Sequence, residues 1–149
     1  MKGYVEKNGK IKKPKTKNGY FHTGDLGSYK NGVLSYFGRN KEIIKVGGEL
    51  VSLTIIENLV LKSDYVNDCA AVGNSNLISG EELILFVVFK KKKKIENEIK
   101  RLFQFLKGKL RSIELPRKII PITEMPKTKS GKIIKKKLLK LYTLKNVQR

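Results

Sequence analysis

Apolar residues recur at helical spacing in three parts of the chain. The clearest pattern lies within residues 95–111, where one face of a helix carries Ile95, Ile99, Leu102, Phe103, Leu106 and Leu110. A shorter pattern predicts a helix over about 54–62, in which Thr54 and Glu57 have the spacing of a capping box. Residues 133–142 predict a last helix, basic and amphipathic.

Other apolar runs are short and β-prone, so they predict strands. Residues 66–72 and 82–89 are two such runs, and the second is apolar without interruption from its second residue, which indicates a strand covered on both faces. Residues 119–122 form a third strand, whose proline favours a sheet edge. Asn31 and Gly32 separate two more β-prone runs and predict a hairpin.

Short strands and about three helices predict an α+β fold. The signals for packed structure concentrate in residues 42–142. Residues 1–37 contain hairpin signals and few helix-forming signals, so they are expected to belong to a different structural unit. Residues 38–41 then connect the two parts, and residues 143–149 form a tail.

Charge narrows the range of partners. The 149 residues include 33 Lys and Arg but only 13 Asp and Glu, a net charge of +20, so nucleotide phosphates, nucleic acid or acidic lipid are natural partners. Most of these basic residues are lysine, which codon-driven drift also explains. The longest apolar run, residues 83–89, is far shorter than the roughly 20 residues of a membrane-spanning helix. Cys69 has no partner for a disulfide, no cluster suits a metal, and a reducing cytosol is expected.

Three segments carry the candidate chemistry. They are residues 19–27 (GYFHTGDLG), 38–49 (GRNKEIIKVGGE) and 126–133 (PKTKSGKI). In this order and at this spacing they resemble the adenylate-forming superfamily of acyl-CoA synthetases, luciferases and peptide-synthetase adenylation domains. Within that superfamily, residues 48–53 and 80–86 resemble the acyl-[acyl-carrier-protein] synthetase half of 2-acylglycerophosphoethanolamine acyltransferases.

The resemblance implies a division of the chain. Residues 42–142 would form the small C-terminal lid domain of the adenylate-forming fold, and residues 38–41 would be the hinge. Residues 1–37 would be the trailing β-rich segment of the large N-terminal domain. The remainder of that large domain, which carries the ATP loop and the acyl tunnel, is not in the sequence.

Asp25 and Arg39 are the candidate nucleotide-binding residues. A carboxylate accepts two hydrogen bonds and so can hold the vicinal hydroxyls of a ribose. A guanidinium offers a planar fork of donors and keeps its charge. The resemblance implies that the family's matching aspartate and arginine bind the nucleotide. A turn-forming aspartate and a surface arginine are the ordinary alternatives.

Lys132 is the candidate catalytic residue, with a further part in binding the nucleotide. When a carboxylate attacks the α-phosphorus of ATP, negative charge gathers around the phosphorus, and a nearby ammonium stabilises it. The family's adenylation lysine lies in the matching triplet. By the same resemblance Lys41 is the hinge residue, and Lys45, Gly47 and Gly48 form the loop that guides a thiol. A simple β-turn is the alternative for that loop.

The sequence therefore predicts the C-terminal fragment of an ATP-dependent acid–thiol ligase. The complete enzyme would activate a fatty acid as acyl-AMP and transfer it to the pantetheine thiol of coenzyme A or acyl carrier protein. ATP with Mg²⁺ would be bound mainly by the N-terminal adenylation domain, the missing partner, so the isolated chain is expected to be inactive. A cytoplasmic location, with peripheral contact to an anionic inner membrane as an option, is expected.

Two alternatives stay open. The first is a basic module that binds nucleic acid or anionic lipid, which the charge favours. Against specific nucleic-acid recognition, most of the aromatic residues lie in apolar runs rather than among the lysines. The second alternative is a gene fragment without activity.

Overall fold

The chain folds into two units. The computed structural model describes residues 3–14, 16–78, 80–90 and 94–147. Contacts between residues separate the chain into Met1–Lys41 and Glu42–Arg149. Each unit has its own secondary structure, and each is described by itself below.

The first unit consists of three short antiparallel strand pairs. The pairs are β1 with β2, β3 with β4, and β5 with β6. Between β5 and β6, Asn31 and Gly32 both have positive φ angles, 51° and 80°, as a two-residue hairpin turn requires, and the predicted hairpin is confirmed. The six strands are Tyr4–Val5, Ile11–Lys12, Thr16–Lys17, Tyr20–Phe21, Asp25–Lys30 and Val33–Arg39.

The second unit is built on a five-stranded sheet. Its strands β7 to β11 are Ile43–Val46, Glu49–Ser52, Val66–Asn76, Gly80–Phe89 and Lys118–Pro121. Strand β10 is central: it pairs antiparallel with β9 along its length and parallel with β11. It also meets β7 where Gly80 pairs with Val46, and β7 forms a hairpin with β8. Strand β11 pairs only with β10 among the described strands, which agrees with the edge position predicted from its proline.

In the described part of the unit, three helices cover this sheet: α1 at Leu53–Leu61, α2 at Ile95–Lys107 and α3 at Lys135–Val147. Helix α2 ends earlier than the predicted residue 111 because Gly108 caps it, and a 3₁₀ turn follows at Ser112–Glu114. Helix α3 runs beyond the predicted residue 142. The predicted α+β class, with short strands and three helices, is confirmed.

The predicted capping box at the start of α1 is wrong. The N-cap residue is Ser52, and its side chain makes no capping hydrogen bond. The Glu57 carboxylate is used elsewhere: its Oε1 accepts a hydrogen bond from the backbone N–H of Ala71 at 2.7 Å. The Glu57 side chain, which the local pattern assigned to the helix end, therefore makes a tertiary contact with β9 instead.

The core lies on both faces of β9 and β10. On one face, alternate residues of β10 such as Leu83, Leu85 and Val87 pack with α1 and α2. On the other face, Ile84 and Phe86 pack with α3 and the loop before it. All five side chains are almost fully buried, so β10 is covered on both faces as its uninterrupted apolar run predicts.

Candidate functional site

Asp25 and Arg39 meet in the first unit. They are register partners at the open end of the β5–β6 hairpin, and Arg39 Nε lies 3.2 Å from Asp25 Oδ1. The hairpin end is closed by a hydrogen bond from the Asn40 N–H to the Gly24 carbonyl at 2.7 Å. The Arg39 side chain is 70% exposed, so the ion pair adds little stability and both groups are accessible to a ligand.

Lys41 is the last residue of the first unit. It lies in a 3₁₀ turn at Asn40–Glu42, and its side chain is exposed. The division of the chain into two units falls directly after it. A residue in a short turn at the boundary between two units has the position that hinge residues occupy.

Gly47 and Gly48 form the tip of the β7–β8 hairpin, and Lys45 lies in β7 just before it, paired with Leu50. Gly47 and Gly48 have φ angles of 56° and 91°, a left-handed region that residues with a side chain rarely adopt, so the two glycines allow this sharp turn. The Lys45 side chain is exposed, while its backbone N–H donates to Glu81 Oε2 at 2.8 Å. Beyond the turn, Glu49 Oε2 accepts a hydrogen bond from Arg111 Nη1 at 2.8 Å.

Lys132 lies in a loop that is closed by its own backbone. The Thr128 N–H donates to the Lys132 carbonyl at 2.8 Å, and the Ile134 N–H donates to the Pro126 carbonyl at 2.7 Å. Gly131, with φ of 81°, makes the turn between them. The Lys132 side chain is exposed, so a defined loop presents the ammonium to solvent rather than burying it.

A group of charged residues lies at the end of this loop, and the sequence pattern assigned no role to it. Lys135 Nζ contacts Glu42 Oε2 and lies 3.0 Å from Glu57 Oε1. Partial burial disfavours the charged ammonium, but the hydrogen bond to Glu42 and the charge of Glu57 outweigh it, and the pKa of Lys135 is raised above its ordinary value. We call Glu42, Glu57 and Lys135 the charged cluster. A separation of 93 residues between Lys135 and Glu42 leaves no local sequence signal for it.

The predicted site residues thus fall into three groups. Asp25 and Arg39 form a pair, and Lys41 ends the same unit. Lys132 and the Gly47–Gly48 turn lie on separate loops of the second unit. Within the described ranges, no three His, Cys, Asp or Glu side chains come together as a metal site needs. None of the helices described is long and apolar enough to cross a membrane.

The sheet, its two helical layers and the exposed lysine loop define the class of domain. The family described as AMP-binding enzyme C-terminal domain matches residues 55–132, more than half of the chain. The chain belongs to this family. The resemblance found in the three sequence segments is confirmed at this level.

Relatives of known name agree with the family. The chain is 33% identical to the peroxisomal benzoate–CoA ligase of Arabidopsis thaliana, over 93% of this chain and 25% of that protein. It is 31% identical to acetyl-coenzyme A synthetase 1 of Kluyveromyces lactis, over 83% of this chain and 19% of that protein. The chain therefore spans about a quarter or less of the length of these relatives.

Solved structures of adenylate-forming enzymes show the same fold. ATP-bound MatB from Rhodopseudomonas palustris superposes with a TM-score of 0.72 at 29% identity, covering 95% of this chain and 28% of that one. A Mycobacterium tuberculosis fatty acyl CoA synthetase gives a TM-score of 0.66 at 29% identity, covering 87% and 26%. The closer resemblance to acyl-[acyl-carrier-protein] synthetases stays a prediction.

Proposed function

We propose that this chain is the C-terminal part of an AMP-forming acid–thiol ligase. In the complete enzyme, a carboxylate attacks the α-phosphorus of ATP and releases pyrophosphate, giving acyl-AMP. A thiol then attacks the acyl carbon, AMP leaves, and the thiol proton passes to solvent. The observation that carries the proposal is the family match, whose range ends at Lys132, exposed on its closed loop.

Lys132 supplies positive charge during adenylation. As the carboxylate approaches the α-phosphate, two anionic groups come together, and an ammonium beside them lowers the energy of the transition state. The loop suits this role because its backbone is fixed by hydrogen bonds while the lysine side chain reaches freely outward. Gly131 keeps the loop narrow beside the lysine, so the loop can approach a bound nucleotide closely.

Asp25 and Arg39 hold the nucleotide sugar. The Asp25 carboxylate accepts hydrogen bonds from two ribose hydroxyls, and Arg39 orients that carboxylate through Nε, 3.2 Å from Asp25 Oδ1. Mg²⁺, which accompanies ATP, balances phosphate charge when it is bound. In this proposal the N-terminal adenylation domain provides most of its ligands, and the ATP phosphates provide others.

Lys45, Gly47 and Gly48 serve the second half-reaction. A turn without side chains at two successive positions lets a slender group, such as the pantetheine arm of coenzyme A or acyl carrier protein, approach the backbone closely. Lys41 absorbs the change of backbone angles when the lid domain turns from one half-reaction to the other. A fatty acid is the proposed acyl substrate.

The test of Lys132 uses the chain reconstituted with a separately supplied N-terminal adenylation domain. We expect Lys132→Ala to lower the rate of ATP–pyrophosphate exchange by about 100-fold or more, the size typical of a lost transition-state charge contact. Thioester formation from added acyl-adenylate should be retained, because that step uses the other loop. Lys129→Ala is the matched control, since it removes an exposed lysine from the same loop.

Two results would count against the proposal. If Lys132→Ala exchanges pyrophosphate at the full rate, Lys132 has no part in adenylation. If Lys129→Ala lowers the rate as much as Lys132→Ala does, the effect comes from general loss of charge rather than from one positioned ammonium.

A further inference from the structure

The loop that carries Lys132 is tied to other elements of the second unit at both of its ends. At its entry, Lys127 Nζ lies 2.7 Å from Asp68 Oδ2 on β9. At its exit, Lys135 begins α3 and joins the charged cluster. The two ties differ in exposure: the Lys127 side chain is 46% exposed, whereas that of Lys135 is 27% exposed. The exit is therefore the better shielded of the two ties.

The cluster depends on its single ammonium. Glu42 and Glu57 both contact Lys135 Nζ, and the side chains of these carboxylates are 31% and 18% exposed. Without the ammonium, two partly buried carboxylates would remain close to each other, with the Ala71 N–H donating to Glu57. Removing one partner of such a group is costly because it leaves charge uncompensated.

The three residues of the charged cluster come from three separate parts of the second unit, and each part matters for the proposed reaction. Glu42 is the first residue of the second unit, directly after Lys41. Glu57 lies in α1 and is bonded to β9. Lys135 follows Lys132 by three residues. One ammonium thus connects the start of the unit, helix α1 and the end of the lysine loop.

We propose that Lys135 is a positioning residue, which fixes the exit of the 126–134 loop to the start of the second unit and so sets where the Lys132 ammonium is presented. The inference rests on the proposed role of Lys132. Lys135 does not touch substrate in this proposal. It acts by keeping the loop, α1 and Glu42 together. When the backbone rotates at Lys41, the Lys132 ammonium then keeps its position within the second unit.

The first experiment measures amide hydrogen exchange in the full chain without nucleotide. The reporters are the amides of Thr128 and Ile134, whose N–H groups close the loop. In Lys135→Met we expect both to exchange about tenfold faster, because local opening of the loop becomes easier, while amides of β10 keep their rates. In Lys135→Arg, both amides should exchange as slowly as in the wild-type chain, because the positive charge at residue 135 is kept. Lys136→Met, an exposed lysine on the same helix, is the matched control and should change nothing.

The second experiment measures pyrophosphate exchange with the reconstituted enzyme. Lys135→Met should lower kcat about tenfold with the KM for ATP within about twofold of wild type, because the ammonium is misplaced during chemistry while nucleotide binding is intact. Lys135→Arg should recover most of the rate. If Lys135→Met does not fold, Glu57→Gln takes its place, and faster exchange confined to the loop is expected there also.

The outcomes separate this inference from the proposed function. Unchanged exchange at Thr128 and Ile134 in Lys135→Met, or equal acceleration in the loop and β10, would overturn the positioning role. Failure of Lys135→Arg to restore the loop would also overturn it. A full adenylation rate in Lys132→Ala would instead defeat the proposed role of Lys132 in adenylation, and the hydrogen-exchange measurement would still report on what Lys135 holds in place.

Discussion

At the residue scale, Cys69 shows how burial controls chemistry. The thiol lies in the core on β9 and is only 3% exposed. Burial, together with the negative charges of Glu57 and Asp68, raises the pKa of Cys69 to about 12. Because the thiolate is the reactive form, the native protein should protect this residue.

We expect iodoacetamide at pH 8 to label Cys69 in the folded protein about 100-fold more slowly than in guanidinium chloride. The same pKa shift has a consequence for stability. Between about pH 9 and about pH 12 the unfolded thiol loses its proton while the folded one keeps it, so stability falls as pH rises through this range. Equal labelling rates in the two states, measured by mass spectrometry, would contradict the burial of this thiol.

At the element scale, two glycines in regular structure have opposite constraints. A Cβ added at Gly73 in β9 would lie 2.4 Å from Cγ2 of Ile44, a buried branched side chain that has little room to move. A Cβ at Gly108, the C-cap of α2, would meet its nearest atom at 3.8 Å, and the φ angle there is −78°. Only the first position requires glycine.

We therefore expect Gly73→Ala to lower the free energy of unfolding by about 1–3 kcal/mol through overpacking. Gly108→Ala should raise it by about 0.4–1 kcal/mol, because alanine fits the helical angles and restricts the unfolded chain. Urea denaturation followed by circular dichroism measures both. Similar stabilities for the two variants would show that β9 and β7 are not packed as closely as described.

At the scale of the whole molecule, the two units differ in how they bury apolar surface. Every described core residue lies between Ile44 and Tyr142. The strand pairs of the first unit instead expose large side chains such as Tyr20, Tyr29 and Leu34. Isolated two-stranded pairs are marginal in water, so stability of the chain should come from the second unit.

A truncated chain that starts at Glu42 should therefore unfold in one cooperative transition. Because it keeps the whole described core, we expect its Tm to lie within about 4 °C of the value for the full chain, a change of about 1 kcal/mol or less. Thermal circular dichroism provides the measurement. A broad, non-cooperative loss of signal from the truncated chain would show that residues 1–41 contribute to its folding.

The sequence by itself determined the features that depend on neighbouring residues. Helical spacing predicted α2, the uninterrupted apolar run predicted a strand covered on both faces, and Asn31 with Gly32 predicted a hairpin. These signals depend only on neighbouring residues, so they appear directly in the periodicity of apolar and polar positions along the chain. The ordered segments around Asp25, Arg39 and Lys132 also indicated the family, although the roles of these residues stay predictions.

Only the tertiary structure decided which distant charges meet. Glu57 fitted a capping box by spacing, yet the fold directs it to Ala71 and Lys135. Lys135 was one lysine among many in a basic segment, and its contact with Glu42 spans 93 residues. Such a contact depends on the path of the whole chain around the sheet. A local pattern holds no information about that path, since the energy of a buried charge is set by whatever the fold brings beside it.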